Sequence, residues 1–299
     1  MRKITLAYAA AVFNFILIGF SFLFTKEALA FTDTFTLLAF RFGLSFVILL
    51  IPIIFGIIRV DPIRKHLKEI LLLSLFQPFL YFTLQTVGLI YIPSSESGVI
   101  FALSPVFVGI LGIALLGEKV DRTQSAGFFI SIAGIVFIFI MEGNSLAGFN
   151  VPGVVTTLLS VLVTSIYIVL GRKLSQEITP MTLTYGMMLT GFISFLICAV
   201  GIEGLDIEGT LSLLTNQSFM LDIFYLAFFT SIVTTFLAMY SLRELEAARV
   251  GIISNISTVV SILAGVIILH ETFMYYHVIG SLMIISGVVL ANYSRRTSE

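Results

Sequence analysis

The sequence predicts an all-α polytopic membrane protein: ten transmembrane helices arranged as two inverted five-helix repeats. Three observations carry that prediction, namely scarcity of charge, the spacing of apolar runs, and a match of the chain to itself. Of 299 residues, 58% are hydrophobic and 11% charged, with a mean hydropathy of +1.10. A soluble domain carries about 25% charged residues, so 16 Lys plus Arg and 17 Asp plus Glu cannot coat a water-facing body of this size. The 29 Phe and abundant Ile, Leu and Val exclude disorder. A net charge of −1 without a basic stripe argues against a nucleic-acid partner. Cys198, the single cysteine, permits neither an intrachain disulfide nor a Cys-rich metal site.

A bilayer core needs roughly 20 apolar residues per helix. The first such run, 5–24, follows Arg2 and Lys3, and the second, 36–58, holds Arg41. The third, 70–90, carries Gln77, Tyr81 and Gln85, and the fourth, 97–116, contains Pro105 and runs up to Glu118. The runs 124–141, 152–170, 181–201 and 223–241 follow, then 250–269, which ends before Glu271, and finally 276–293. Arg41 is the only Lys, Arg, Asp or Glu within these ten spans. The alternation of a porin strand is absent, so a helical bundle is expected to satisfy the backbone in lipid.

Basic residues set the direction. With a cytoplasmic N-terminus, the inner segments hold fourteen Lys and Arg, from Arg2 and Lys3 to Arg295 and Arg296, and the outer segments hold Lys26 alone. Both termini are therefore expected in the cytoplasm, in a cell's inner (plasma) membrane. Ala28-Leu29-Ala30 has the form of a signal-peptide cleavage site. The apolar run before it is long for a signal, and Lys26-Glu27 precede the cut, so the first run reads as a retained span.

Sliding the chain by 153 residues pairs Gly98 with Gly251, Ser104 with Ser257, Gly112 with Gly265 and Glu118 with Glu271. The same register pairs Gly127 with Gly280 and Gly134 with Gly287, and an offset of 146 pairs Lys26 with Arg172. The halves are about 1–145 and 146–299, five spans each. An odd number of spans per half places the second copy upside down, the architecture of secondary transporters with a site near the midplane.

Ile18-Gly19-Phe20-Ser21-Phe22 followed by Lys26 resembles the Trp-Gly-x-x-Phe…Lys opening of EamA-type proteins of the drug/metabolite transporter superfamily. Arg41 falls where that family carries an Arg in its second helix. Leu103-Ser104-Pro105-Val106 through Leu115-Leu116-Gly117-Glu118 resembles its fourth-helix signature, with Ile268-Leu269-His270-Glu271 as the counterpart. Two departures stand out: Trp is absent, and Thr258 replaces the proline expected after Ser257. A kink at Pro105 is expected in helix four. The resemblance implies a central cavity lined by helices one, three, four, six, eight and nine.

Polar residues on those helices are the candidate substrate contacts. Gln77, Tyr81 and Gln85 recur at i, i+4 and i+8, one face of a continuous helix. Asn14, Tyr167, Thr234, Asn255 and Ser257 complete the candidate set. Ser and Thr also serve as helix glue bonded to their own carbonyls, a reading that holds for single hydroxyls. A buried Arg41 needs a partner. Glu96 is the nearest candidate by depth, and a structural pair or snorkelling is favoured over direct substrate contact. Pro105, Glu118 and Glu271 read as gate or hinge elements, the carboxylates capping the following helix or pairing with a base. His270 and His277 read as solvated.

No nucleotide loop, nucleophile elbow, dinucleotide fingerprint or metal spacing appears, so neither enzyme nor cofactor is expected. The expected partners are a lipid bilayer and a small-molecule substrate. A secondary transporter or facilitator, in the export direction, of metabolites such as amino acids is the leading reading. A lipophilic-cation exporter and a non-transporting receptor or scaffold are the alternatives. With no carboxylate inside any span, coupling is expected to be absent or to run through Arg41 and Glu96.

Overall fold

The computed structural model describes residues 2–116, 122–143, 150–204, 207–271 and 274–293. Among them there are helices and turns but no strand, as the need to satisfy every backbone group in lipid dictates. Helix α1 (Arg2–Ala28) and α2 (Thr34–Ile54) are followed by α3 (Ile63–Tyr91), α4 (Ser94–Phe101) and α5 (Ser104–Leu116). Then come α6 (Arg122–Gly143), α7 (Val151–Glu177), α8 (Pro180–Glu203) and a short α9 (Ile207–Leu213). The chain closes with α10 (Gln217–Glu244), α11 (Ala247–Ile253), α12 (Asn255–Ile267) and α13 (Tyr275–Tyr293). Eight helical segments among the described residues are long and apolar enough to cross a bilayer. The protein is a polytopic, integral membrane protein.

Local chemistry explains where helices start. Pro152 and Pro180 sit at the first turns of α7 and α8, where a missing N–H costs nothing. The Gly153 N–H donates to Asn150 Oδ1 (3.1 Å) and the Phe219 N–H to Asn216 Oδ1 (3.1 Å), ordinary side-chain caps. Other starts are capped across the fold. The carboxylate of Glu203, at the end of α8, accepts from the N–H groups of Phe35 (2.8 Å) and Thr36 (2.9 Å) at the head of α2. Glu271 likewise accepts from the N–H groups of Ser94 (2.8 Å) and Ser95 (2.9 Å) and from both hydroxyls at the head of α4. A negative charge there complements the helix dipole.

Several expectations are corrected. The face predicted for Gln77, Tyr81 and Gln85 assumed an unbroken helix, yet Gln77 is extended (φ −144°, ψ 123°) inside α3. Pro78 accounts for the break, since it cannot donate and its ring clashes with the preceding turn. Helix four divides at Ala102-Leu103, leaving Pro105 in the first turn of α5. Helix nine divides at Ser254 without any proline. There Ser254 Oγ donates to Gly251 O (2.6 Å) and Ser257 Oγ to Ser254 O (2.6 Å), back-bonding that bends helices. The eighth run begins at Gln217 rather than 223, which brings buried Asp222 into a membrane-length helix and corrects the expectation that none holds a carboxylate. His277 is buried, and its Nδ1 accepts from the Met274 N–H (3.0 Å), so it caps α13 and is not a solvated side chain.

Helix α1 packs on α10 and α12, α7 packs on α3, α5 and α10, and α2 lies against α8 and α10. Helices α6 and α13 pack chiefly on each other. Their contact is made by small residues: a Cβ on Gly134 would meet Gly280 O at 2.8 Å, and one on Gly287 would meet Gly127 O at 2.5 Å. Ser131 Oγ donates to Ile284 O (3.0 Å) between those two points. Close backbone approach through glycine is how helices associate where lipid offers no hydrophobic drive.

Candidate functional site

Helices α1, α3, α7 and α10 enclose a central cavity, with Arg41 from α2, Phe101 from α4 and Val250 from α11 completing its wall. It is a narrow space between closely packed side chains, with a volume of about 40 Å³. Asn14, Phe15, Ile18 and Ser21 follow one stripe of α1, while Thr230, Thr234 and Ala238 follow one stripe of α10. Thr164, Tyr167 and Ile168 come from α7. The break at Gln77 serves this site: Gln77 and Tyr81 both face the cavity, and Thr164 Oγ1 donates to Gln77 Oε1 (3.2 Å).

Five of the eight candidate contacts therefore line the cavity: Asn14, Gln77, Tyr81, Tyr167 and Thr234. Gln85, Asn255 and Ser257 are not among its lining residues. Gln85 is buried with both amide atoms unpaired, and Asn255 Oδ1 is unpaired as well. Ser257 spends its hydroxyl on Ser254 O, the glue role. Phe82, Phe101, Thr164 and Thr235 belong to the lining and were not singled out by sequence. Helical spacing relates Thr164 to Tyr167 and Thr230 to Thr234, but the apolar members of the same stripes look like any lipid-facing residue.

Arg41 is buried, and its hydrogen bonds do not go to Glu96. Nε donates to Ser231 Oγ (2.8 Å), and Nη2 donates to Thr230 O and Thr230 Oγ1 (both 3.0 Å). The guanidinium carbon sits 4.1 Å from the centre of the Phe82 ring. Depth alone suggested Glu96. The neighbour that α2 meets is α10, which supplies neutral acceptors instead. Glu96 lies in the first turn of α4, within electrostatic reach of Lys26.

At one end of the cavity the helix ends are stitched together. Lys26 Nζ donates to Leu89 O and to Ile92 O (3.2 Å), the last carbonyls of α3, while Glu271 holds the head of α4. At the other end, near Leu242 and Val250, Arg172 Nη1 donates to Leu242 O (2.6 Å) and Arg243 O (2.7 Å). Glu271 therefore does not cap the following helix as expected, because α4 is brought to it by the fold. Glu118 lies outside the described residues. A separate groove of about 340 Å³ between α2, α8, α9 and α10 is lined almost wholly by apolar groups such as Phe40, Val47 and Leu196. It has few polar groups with which to orient a solute.

One family model, the EamA-like transporter family, matches residues 5–140 and again 151–293. The chain belongs to the EamA-like transporter family. This EamA-like transporter is 37% identical to an uncharacterized transporter, YcxC, of Bacillus subtilis (strain 168), over 96% of this chain and 93% of that one. It is 25% identical to a probable amino-acid metabolite efflux pump of Salmonella typhimurium (strain LT2), over 83% of each chain. A solved crystal structure shares the fold at a TM-score of 0.71, with 19% identity and 99% of each chain covered. Transport as the class of function and residence in a membrane thus rest on the family match, and the solved structure adds the fold.

Proposed function

We propose that this EamA-like transporter is a secondary transporter or facilitator that exports small metabolites such as amino acids by alternating access. The carrying observation is the central cavity, lined from both parts of the chain and holding buried polar atoms without partners: Asn14 Oδ1, Tyr167 Oη and Arg41 Nη1. Buried polar groups are normally satisfied, and a site that leaves several open is one that a solute completes. The relationship to a probable amino-acid metabolite efflux pump supports the substrate class.

Ten spans, two inverted halves (1–145 and 146–299) and cytoplasmic termini belong to the same proposal. Contacts that obey the 153-residue offset support it. Gly134 meets Gly280 and Gly127 meets Gly287, so each contact maps onto the other under the repeat, with Ser131 and Ile284 at the axis. Gly98 faces Thr258 and Ser261, as Gly251 faces Pro105 and Val108. Lys26 closes the end of α3 as Arg172 closes the end of α10. These matched clamps at opposite ends are the elements that would have to open in turn, with Glu271 and Pro105 as gate and hinge.

The test is saturable flux of a radiolabelled amino-acid panel in liposomes holding the purified chain. Saturation with counterflow supports a carrier, and linear flux supports a channel. Absence of flux for every metabolite, with transport of quaternary ammonium compounds alone, would overturn the metabolite reading. Gln77→Ala and Tyr81→Phe are expected to lower flux while leaving folded protein in the membrane.

A further inference from the structure

Arg41 is fully buried beside the cavity, and its donors are unevenly used. Nε and Nη2 are occupied by Ser231 and Thr230, whereas Nη1 has no hydrogen-bond partner. Every acceptor it does have is neutral, so its hydrogen bonds leave the charge uncompensated. Burying a guanidinium in that state is costly, and a structural ion pair is the usual remedy. The surroundings instead fix the guanidinium in place. The hydroxyls of Thr230 and Ser231 donate to Leu226 O (3.0 and 2.9 Å), which turns their lone pairs toward Arg41. Phe82 flanks the guanidinium, and Ser45 Oγ ties α2 to Ala227 O of α10 (3.0 Å).

We propose that Arg41 Nη1 is an anion subsite at one end of the cavity, and that the solute it selects is a small organic carboxylate with an apolar body. This rests on the transport reading above. The single open nitrogen suits a carboxylate monoanion, since a phosphate dianion calls for more donors than one guanidinium edge. Phe15, Tyr81, Phe82 and Phe101 supply a wall for an apolar body. An uncompensated buried cation repels a quaternary ammonium, so the cavity disfavours lipophilic cations.

The experiment uses the purified full chain and matched pairs of probes: phenylalanine with its amide, leucine with its amide, and 4-methylpentanoate with its amide, plus tetraphenylphosphonium. Ligand-dependent thermal stabilisation gives apparent Kd values. The acid of a pair is expected to bind at least about tenfold more tightly than the amide, the scale of a charge-assisted hydrogen bond. In Arg41→Lys the ratio is expected to fall to about threefold or less, with the melting point of the unliganded variant as the folding control. The acid–amide comparison in the unaltered protein requires no variant and stands if Arg41→Lys does not fold. Equal binding within every pair, tighter binding of tetraphenylphosphonium than of any acid, or no acid-dependent stabilisation overturns the subsite. Flux that does not distinguish acid from amide sinks the subsite while leaving transport standing. Acid-selective binding without flux sinks transport while leaving the subsite standing.

Discussion

The stitched helix ends and the central cavity are built from the same kinds of polar groups but treat them oppositely. Where α3 meets α4, Lys26 spends its donors on the carbonyls of Leu89 and Ile92, and Glu271 accepts four hydrogen bonds from Ser94 and Ser95. A few turns away, Asn14 Oδ1, Tyr167 Oη and Arg41 Nη1 face the cavity unpaired. Satisfied polar groups hold a bundle together in a medium that offers no water. Unsatisfied ones cost stability, and where they line a cavity a solute can complete them. Polarity alone therefore does not mark a site in a membrane protein, and neither does an unpaired atom alone, since Gln85 and Asn255 leave atoms unpaired outside the lining; at Asn14, Tyr167 and Arg41 the two coincide with a cavity.

The largest effect is expected from the stitched region. Glu271→Ala would leave two helix-start N–H groups and two hydroxyls without their carboxylate and is expected to cost about 3 kcal/mol. Glu271→Gln, which keeps one carbonyl acceptor, should cost roughly half of that. Thermal unfolding in detergent checks both, and equal melting points for all three proteins would break the contrast. Next comes Gly98, where an added Cβ would collide with the Ser261 side chain on α12. Gly98→Ala is expected to cost about 1–3 kcal/mol through overpacking, and Gly98→Ala with Ser261→Gly should recover most of it.

Lys26→Met should cost about 1 kcal/mol, less than Glu271→Ala, because it removes two hydrogen bonds made by one flexible donor rather than four made by a fixed carboxylate. Tyr167→Phe is expected to show the smallest change in stability, and of the opposite sign. Removing an unpaired buried hydroxyl should leave the unliganded protein unchanged or more stable by up to about 1 kcal/mol. Flux should fall in the same variant. A Tyr167→Phe protein that melts early and transports normally would move Tyr167 from the cavity's chemistry to its scaffold.

The sequence placed residues at the cavity wall where side-chain chemistry and helical phase agreed. Asn14, Tyr167 and Thr234 have large or paired polar groups in stripes that do face inward. Gln85 and Asn255 look equally polar, yet the rotation of their helices leaves them outside the lining. Arg41 was recognised as needing a partner, and depth pointed to Glu96. Depth places a residue along the membrane normal and says nothing of which helices are neighbours, and the helix beside α2 offered Thr230 and Ser231. Asp222 escaped notice because the eighth run was started at its first strongly apolar stretch, whereas capping by Asn216 begins the helix earlier.

Composition, apolar run length and the placement of Lys and Arg are local quantities, and from them the sequence by itself determined a helical membrane protein and the positions of its main helices. The 153-residue register was legible for the same reason: it compares residues with residues and needs no geometry. The partners of the charged groups could be decided only by the tertiary structure. Glu271 meets Ser94 across 177 positions, Lys26 meets Leu89 across 63 and Arg41 meets Ser231 across 190. So too was the lining of the cavity. Each depends on how helices rotate and approach one another, which close packing between neighbours decides.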